Sequence, residues 1–308
     1  MLETPVVFII FNRPDVTALT FRAIAKARPK RLFILADGPR SPDEEELCAQ
    51  TRAVVTESID WDCELTTDFS ELNLGCKQRS VSGFDWVFSQ VDEAIFLEDD
   101  CLPDTIFFRF CEEMLEYYRD DMRVMMINGS NYLERWKSES QSYHFSNFGS
   151  PWGWATWKRA WKFNDITMKH WGHEDIKLRI RDVLANEECF SLTARRYDKA
   201  YNNPKNRHTW DLQWMFARQM QSGLTIVPAV NLISNQGAPS SMLLPTAPMS
   251  FPLQFQRSVS VDRLYDLLHI RWVNGKGRIG TKYWRLWRKF RKALRRSTQP
   301  IRGSENVE

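Results

Sequence analysis

Ala94-Ile95-Phe96-Leu97-Glu98-Asp99-Asp100-Cys101-Leu102-Pro103 is a short apolar run that breaks off in three consecutive acids. An unpaired carboxylate buried in a sheet costs several kcal/mol or gives up its charge. The strand therefore ends at the acids, which stand where the chain leaves the sheet. Taken alone, such a triplet is more often a solvated turn than a site. In an α/β chain, however, the carboxyl ends of strands are where ligand crevices form. Hard carboxylate oxygens at such a place suit Mg²⁺ or Mn²⁺, usually shared with substrate phosphates.

Upstream of the triplet the pattern is that of an α/β chain. Val6 to Phe11 is an unbroken β-prone run, as expected of a strand buried on both faces. Asn12-Arg13-Pro14-Asp15 follows, with Pro14 suited to a first helical turn, and Val16 to Ala27 keeps helical apolar spacing. Arg31 to Ala36 reads as a second strand, ending at Asp37-Gly38. Asp43 to Ser58 reads as a helix, Cys63 to Thr67 as a strand and Cys76 to Phe88 as a third helix. The order βαβαβαβ predicts an open, mostly parallel sheet with flanking helices, and it sets Asp37 and Glu98 on one edge. Downstream, the pattern predicts helices over Asp104–Arg119 and Trp210–Met220 and strands over Val124–Ile127 and Leu224–Val230. Residues 130–150 and 235–258 read as loops, and 162–208 as partly helical. Trp154, Trp157 and Trp161 fall at i, i+3 and i+7, which predicts one helical face packed in the core.

Several residues acquire a reading from this frame. Arg13 stands in the first strand-to-helix turn, near a base or phosphate, and Asp37 ends the second strand. Lys77 and Arg79 bring two cations into the opening turns of a helix, where a bound anion would offset their cost. Arg79 on its own reads as a solvated side chain. Trp152 lies outside the helical register of its neighbours and is the better candidate to face a sugar ring. Thr209 suits an N-cap, and Asp211 is an acid near a helix start. The chain lacks the glycines of a dinucleotide fingerprint or a P-loop.

The order and spacing of five segments together carry a resemblance. They are Phe11-Asn12-Arg13-Pro14, Ala36-Asp37-Gly38, Leu97-Glu98-Asp99-Asp100 with Pro103, Gly153-Trp154, and Trp210-Asp211 followed by Trp214-Met215. From about residue 4 to about residue 240 the chain resembles nucleotide-sugar glycosyltransferases of the GT-A fold, in particular the catalytic core of N-acetylglucosaminyltransferase I and its bacterial relatives. The resemblance implies a Rossmann-like domain over residues 1–245. It implies Asp100 as the direct protein ligand of Mn²⁺ or Mg²⁺, and Glu98 and Asp99 on the donor's sugars. It further implies Arg13 and Asp37 on the nucleotide, with Asp37 on the base, and Asp211 as catalytic base; Lys77, from its place at the start of a helix, is expected in the donor site. Trp152 and Trp210 would face the sugar or acceptor, and the loop after Ser234-Asn235-Gln236-Gly237 would close over the donor. The implied activity is metal-dependent, inverting transfer of a hexosyl or N-acetylhexosaminyl group from a nucleoside-diphosphate donor, UDP first, to a glycan or lipid-linked hydroxyl. The alternative is a catalytically silent sugar-nucleotide or glycan-binding protein of the same fold. Trp-Asp-Leu-Gln-Trp departs from the relative's Trp-Asp-Asp-Trp, leaving Asp211 as the acid available for the base.

Six cysteines without CxxC spacing and the lack of a signal peptide lead us to expect a cytoplasmic protein with reduced thiols. No segment approaches the apolar length of a membrane span. The net charge of +3 hides an asymmetry, because Lys276 to Arg296 holds ten Lys/Arg and no acid. Within it, Tyr283, Trp287, Phe290 and Leu294 share a helical face. We expect residues 246–275 to be a linker and 276–308 a basic amphipathic tail, with 281–296 meeting an anionic membrane at the inner face. No nucleic-acid partner is expected, as no binding motif accompanies the charge.

Overall fold

Strand β1 (Val6–Ile10) carries apolar side chains on both faces because both faces of its sheet are covered. The computed structural model describes residues 1–203, 209–237, 244–256 and 258–277. Phe8, Ile10, Leu32, Ile34, Ile95 and Leu97 share one core with Phe21, Ile24 and the apolar face of a later helix, Phe107 to Leu115. Their sequence neighbours Val7, Phe33, Leu35, Ala94 and Phe96 join a second core with Phe84, Val87, Trp161 and Trp214. The period of two along each strand thus divides the molecule into helix, sheet and helix layers.

The elements follow the expected order: α1 (Pro14–Ala27), β2 (Arg31–Ala36), α2 (Glu45–Thr56), β3 (Glu64–Phe69), α3 (Gly75–Phe88) and β4 (Glu93–Glu98). Next come β5 (Cys101–Pro103), α4 (Ile106–Tyr117), β6 (Val124–Asn128), β7 (Tyr143–Ser146), β8 (Trp154–Trp157) and α5 (Lys158–Trp161). The chain continues through α6 (Glu174–Leu184), α7 (Glu187–Asn202), α8 (Asp211–Met220), β9 (Leu224–Pro228), β10 (Ile233–Asn235) and α9 (Arg263–Gly277). The main sheet has eight strands in the order β3-β2-β1-β4-β8-β6-β9-β7. Strands β3, β2, β1, β4, β6 and β9 run one way, while β8 and β7 oppose them. The expected mostly parallel α/β sheet is therefore present. A separate two-stranded ribbon pairs β5 with β10.

Four expectations need correction. Trp154 to Trp157 is a strand, not the start of a helix. A spacing of three puts two residues on one face of a helix but on opposite faces of a strand. Trp154 stacks on Phe96 at 4.5 Å in one core, and Trp157 lies in the other. Both faces here are apolar, so the strand buries both rings. Residues 130–150 are not all loop, since β7 completes the sheet edge. Arg79 is not solvated: it is 4% exposed, its Nε donates to Ala36 O (3.1 Å), and it pairs with the Asp68 carboxylate at 2.8 Å. It ties α3 to the ends of β2 and β3. Finally, the expected linker 246–275 contains α9, which docks on α7 and β7. Tyr265 and Ile270 of α9 are buried, and Asp266 accepts hydrogen bonds from Ser146 Oγ (2.6 Å) and Asn147 Nδ2 (2.8 Å). The expected basic segment 281–296 lies outside the described residues.

All six cysteines are free thiols. Among the described residues, no helix is long and apolar enough to cross a membrane.

Candidate functional site

Parallel pairing of β1 with β2 and β4 brings three chain exits to one edge. Ile10 is in register with Ala36, and Ile9 with Glu98. The residues that follow, Arg13, Asp37 and Asp99-Asp100, therefore gather at one rim, as the strand order requires.

Arg13 is the hub. It stands at the N-cap of α1, and its guanidinium grips Asp99 through Nε (3.1 Å to Oδ2) and Nη2. Nη2 also reaches Asp100 Oδ2 at 3.1 Å. Burial works against this cation, but Asp99 and Asp100 outweigh it and hold the guanidinium firmly charged. Asp99 is 4% exposed, and its carbonyl accepts from Thr20 Oγ1 at 2.6 Å. Burial raises the Asp99 carboxyl even with Arg13 beside it. With both oxygens turned to Arg13, Asp99 positions that cation instead of projecting into open space.

Asp100 faces the crevice under a strap. Pairing of β10 with β5 sets Asn235 opposite Cys101. Asn235 Nδ2 then donates to Asp100 Oδ1 (3.2 Å), and Gln236 N donates to Asp100 O (2.7 Å). The Gln236 contact is main chain to main chain, so the strap is held whatever side chain stands at 236. At Gly237 a Cβ would run into the Asp100 carboxylate and come within 3.0 Å of Arg13 Nη1, so the strap presses on the acid itself. The segment expected to close over the donor thus begins on Asp100, while residues 238–243 lie outside the described residues.

Glu98 is half-buried behind Asp100. Withdrawal from water, then repulsion from Asp100, Asp99 and Asp211, pushes its carboxyl up to about 8, and a hydrogen bond from the Trp210 side chain works the other way. One ligand atom from each of Glu98, Asp100 and Cys101 lies within 4.8 Å of the others. Burial, then the neighbouring acids, raises the Cys101 thiol far above its ordinary value, and its soft sulfur is a poor match for a hard cation. The Asp100 carboxylate is a hard oxygen donor of the kind Mg²⁺ or Mn²⁺ takes, Glu98 beside it would join once a bound cation favoured its charged form, and a nearby diphosphate would complete the shell. The residues present fit such an ion.

Asp37 is at the edge but is already engaged. Its Oδ1 accepts from Gly38 N (3.0 Å) and Leu74 N (2.9 Å), and its Oδ2 from Gly75 N (2.9 Å). It fastens the turn before α3 and is 6% exposed, which corrects the expectation of a carboxylate free for a base. Lys77, half-buried in α3, lies 3.3 Å from the side-chain oxygen of Gln213 with that amide oriented to donate to Thr209 O and Trp210 O. It joins α3 to the start of α8.

Asp211 opens α8, half-buried, close enough to Glu98 to raise it. Trp210 is 2% exposed and packs on Phe84 (5.1 Å) and Trp154 (5.1 Å). It is a core residue beside Glu98, not an exposed stacking platform, which corrects its expected role. Trp152 is half-buried, edge-on to Tyr132 at 5.5 Å and packed against the cores on either side. His208 lies outside the described residues.

The sequence reading missed a recess beside Asp211, lined by Tyr132, Ser150, Arg196, Trp214, Arg218 and His269. A signal existed. Asp211, Trp214 and Arg218 fall at i, i+3 and i+7, so one face of α8 carries both the acid and a cation.

No family model matches the chain, and no curated protein matches it. Among solved structures it is similar to S. aureus TarS 1-349, at 12% identity and a TM-score of 0.38, over 54% of this chain and 50% of that one. It therefore spans half the length of that structure. It is also similar to the mannosyltransferase PcManGT from Pyrobaculum calidifontis in complex with GDP-Man and Mn²⁺, at 10% identity and a TM-score of 0.38, over 71% of this chain and 70% of that one. A UDP-glucose pyrophosphorylase complexed with UDP-glucose is similar at 8% identity and a TM-score of 0.36, over 77% of this chain and 94% of that one. Likenesses of this size say nothing about activity.

Proposed function

We propose that the chain is a metal-dependent, inverting glycosyltransferase that moves a sugar from a nucleoside-diphosphate donor, UDP first, to a hydroxyl of a glycan or lipid-linked acceptor. The observation that carries the reading is the meeting of Arg13, Glu98 and Asp100 on one sheet edge, with Asp211 near enough to Glu98 to raise it. An acid cluster alone would be ambiguous. This one has a cation for phosphate, hard ligands for a metal, and a separate acid on another element.

Inversion requires one displacement at the anomeric carbon. An acceptor alcohol is a poor nucleophile until its proton leaves, and Asp211 takes that proton; a positioned general base contributes typically ~10²–10⁴-fold. Bound Mn²⁺ or Mg²⁺ supplies Lewis-acid neutralisation of the leaving diphosphate. Asp100 would hold the ion directly, and Glu98, with a carboxylate oxygen within 4.8 Å of that of Asp100, would face the donor's sugar or join the shell. Arg13 stands ready for a phosphate oxygen and is held there by Asp99. Trp152 would face the sugar ring. An α-linked donor gives a β-linked product.

The Arg13–Asp100 contact favours a second reading, since it already gives Asp100 a cation partner. In that reading the chain binds a sugar nucleotide and does not turn it over. Release of nucleoside diphosphate from a panel of nucleotide sugars with Mn²⁺, with and without a mixed glycan acceptor pool, separates the two. Acceptor-stimulated release that falls about 10²-fold or more in Asp211→Asn is expected. Donor binding without release supports the second reading, and loss of donor affinity in Asp211→Asn moves Asp211 into the donor pocket.

A further inference from the structure

Arg218 is 1% exposed, and its charge meets the Trp214 ring at 5.8 Å but no anion among the described residues. Its Nη1 donates to Thr225 Oγ1, but its Nε has no hydrogen-bond partner. Burial pushes the guanidinium down to about 10, and the neighbour that works against this is Tyr197, not a carboxylate. Among the described residues no acid forms an ion pair with it. A buried cation without an anion is costly, and proteins rarely keep one without a use.

Arg218 lines the recess beside Asp211, and its neighbours there repeat the pattern. Trp214 is 2% exposed, and its indole N–H has no partner. His269 is 3% exposed, stacked between Tyr132 (5.0 Å) and Phe148 (5.3 Å), and its Nδ1 has no partner. Burial first, then Arg196 and Arg218, pushes that imidazole down to about 3. Arg196 adds a second guanidinium to the lining, and Tyr132 Oη donates to Ser150 Oγ at 2.8 Å. Asp211 is the acid of the lining. The recess therefore has two cations, unpartnered buried donors and a single acid at its rim.

Its size narrows the ligand. The cavity measures about 50 Å³. One water needs roughly 10–15 Å³ on the same measure, so the space holds a few waters or one small oxyanion.

We propose that this recess is an oxyanion subsite, with Arg218 as its principal ligand, that takes a phosphate or carboxylate group carried by the acceptor. The placement beside Asp211 makes the bound group part of the acceptor rather than the donor, a step that rests on the proposed function. Substrates with an anionic group next to the reacting hydroxyl are then preferred over neutral ones. The anion completes the hydrogen bonding of Arg218 and Trp214 and fixes the hydroxyl at Asp211.

The full chain is titrated calorimetrically, without metal, with inorganic phosphate, sn-glycerol 3-phosphate, acetate and neutral glycerol. UDP with Mn²⁺ is titrated separately. Wild type is expected to bind phosphate or glycerol 3-phosphate and not glycerol. Arg218→Met, similar in length and uncharged, is expected to lose at least tenfold in anion affinity while its circular dichroism and UDP–Mn²⁺ affinity stay unchanged. Trp214→Phe covers the case in which Arg218→Met does not fold, and should lose severalfold. Anion binding that is absent in wild type, or equal in the folded variants, overturns the subsite. Arg218-dependent anion binding without UDP–Mn²⁺ binding would keep the subsite and discard the donor reading.

Discussion

Gly237 shows how closely the strap and the acids are fitted. Its missing Cβ is the space in which the Asp100 carboxylate sits. That carboxylate is held from both sides, by Arg13 Nη2 (3.1 Å) and by Asn235 Nδ2 (3.2 Å), so it cannot move aside without breaking one contact. Gly237→Ala should leave the melting temperature nearly unchanged, since the strap is at the rim, and weaken metal-supported nucleotide binding about tenfold, which corresponds to roughly 1.4 kcal/mol. Calorimetry of UDP with Mn²⁺ on both proteins checks this, and unchanged affinity would mean that Asp100 relaxes freely. At this scale much of the site was legible. Arg13 and the triplet stand at strand ends, where chain order alone places them together. Asp37 and Trp210 were located but misassigned, because their burial comes from the turn before α3 and from Phe84 and Trp154, which are remote in sequence.

His144 in β7 is the least readable element member. A four-residue strand in which Tyr143 and Phe145 alternate with His144 and Ser146 is short and reads as half-buried at most, yet every residue of it is buried. Ser146 is satisfied by Asp266 from α9, more than a hundred residues on, which no local pattern reveals. His144 packs on Tyr265 at 4.2 Å with neither ring nitrogen hydrogen-bonded. Burial pushes it down to about 3, so it folds neutral. The unfolded chain takes up a proton near pH 6.5 and the folded chain does not, so stability is full above 6.5 and falls as pH drops toward 3. At pH 5 this amounts to about 2 kcal/mol for one histidine. His144→Phe keeps the ring contact and removes that proton site. Denaturant melts from pH 7.5 to pH 5 should show the variant losing about 2 kcal/mol less than wild type; equal losses would show that His144 titrates normally in the fold. The β8 error has a related origin, since a spacing of three reads as helix unless both faces of the sheet are known to be apolar.

Across the whole molecule, the half built from β3, β2, β1 and β4 follows from the order of elements, and the other half does not. Strands β8 and β7 oppose their neighbours, and α9 closes over β7 from far along the chain. Those pairings depend on long-range packing. The basic segment 281–296 follows α9, and its composition keeps the proposal of an anionic membrane partner for a lipid-linked acceptor. Vesicles containing anionic lipid should sediment the full chain and leave a chain ending at 277 in solution; equal sedimentation of both removes the membrane from the account. The central claim is that the edge acids hold a metal on which a nucleotide sugar docks. Its most direct measurement is a thermal-shift screen of nucleotide sugars with and without Mn²⁺, on wild type and Asp100→Asn. The account predicts a Mn²⁺-dependent rise for at least one donor in wild type and none in Asp100→Asn. A rise of equal size in both proteins, or no rise with any donor, would contradict it.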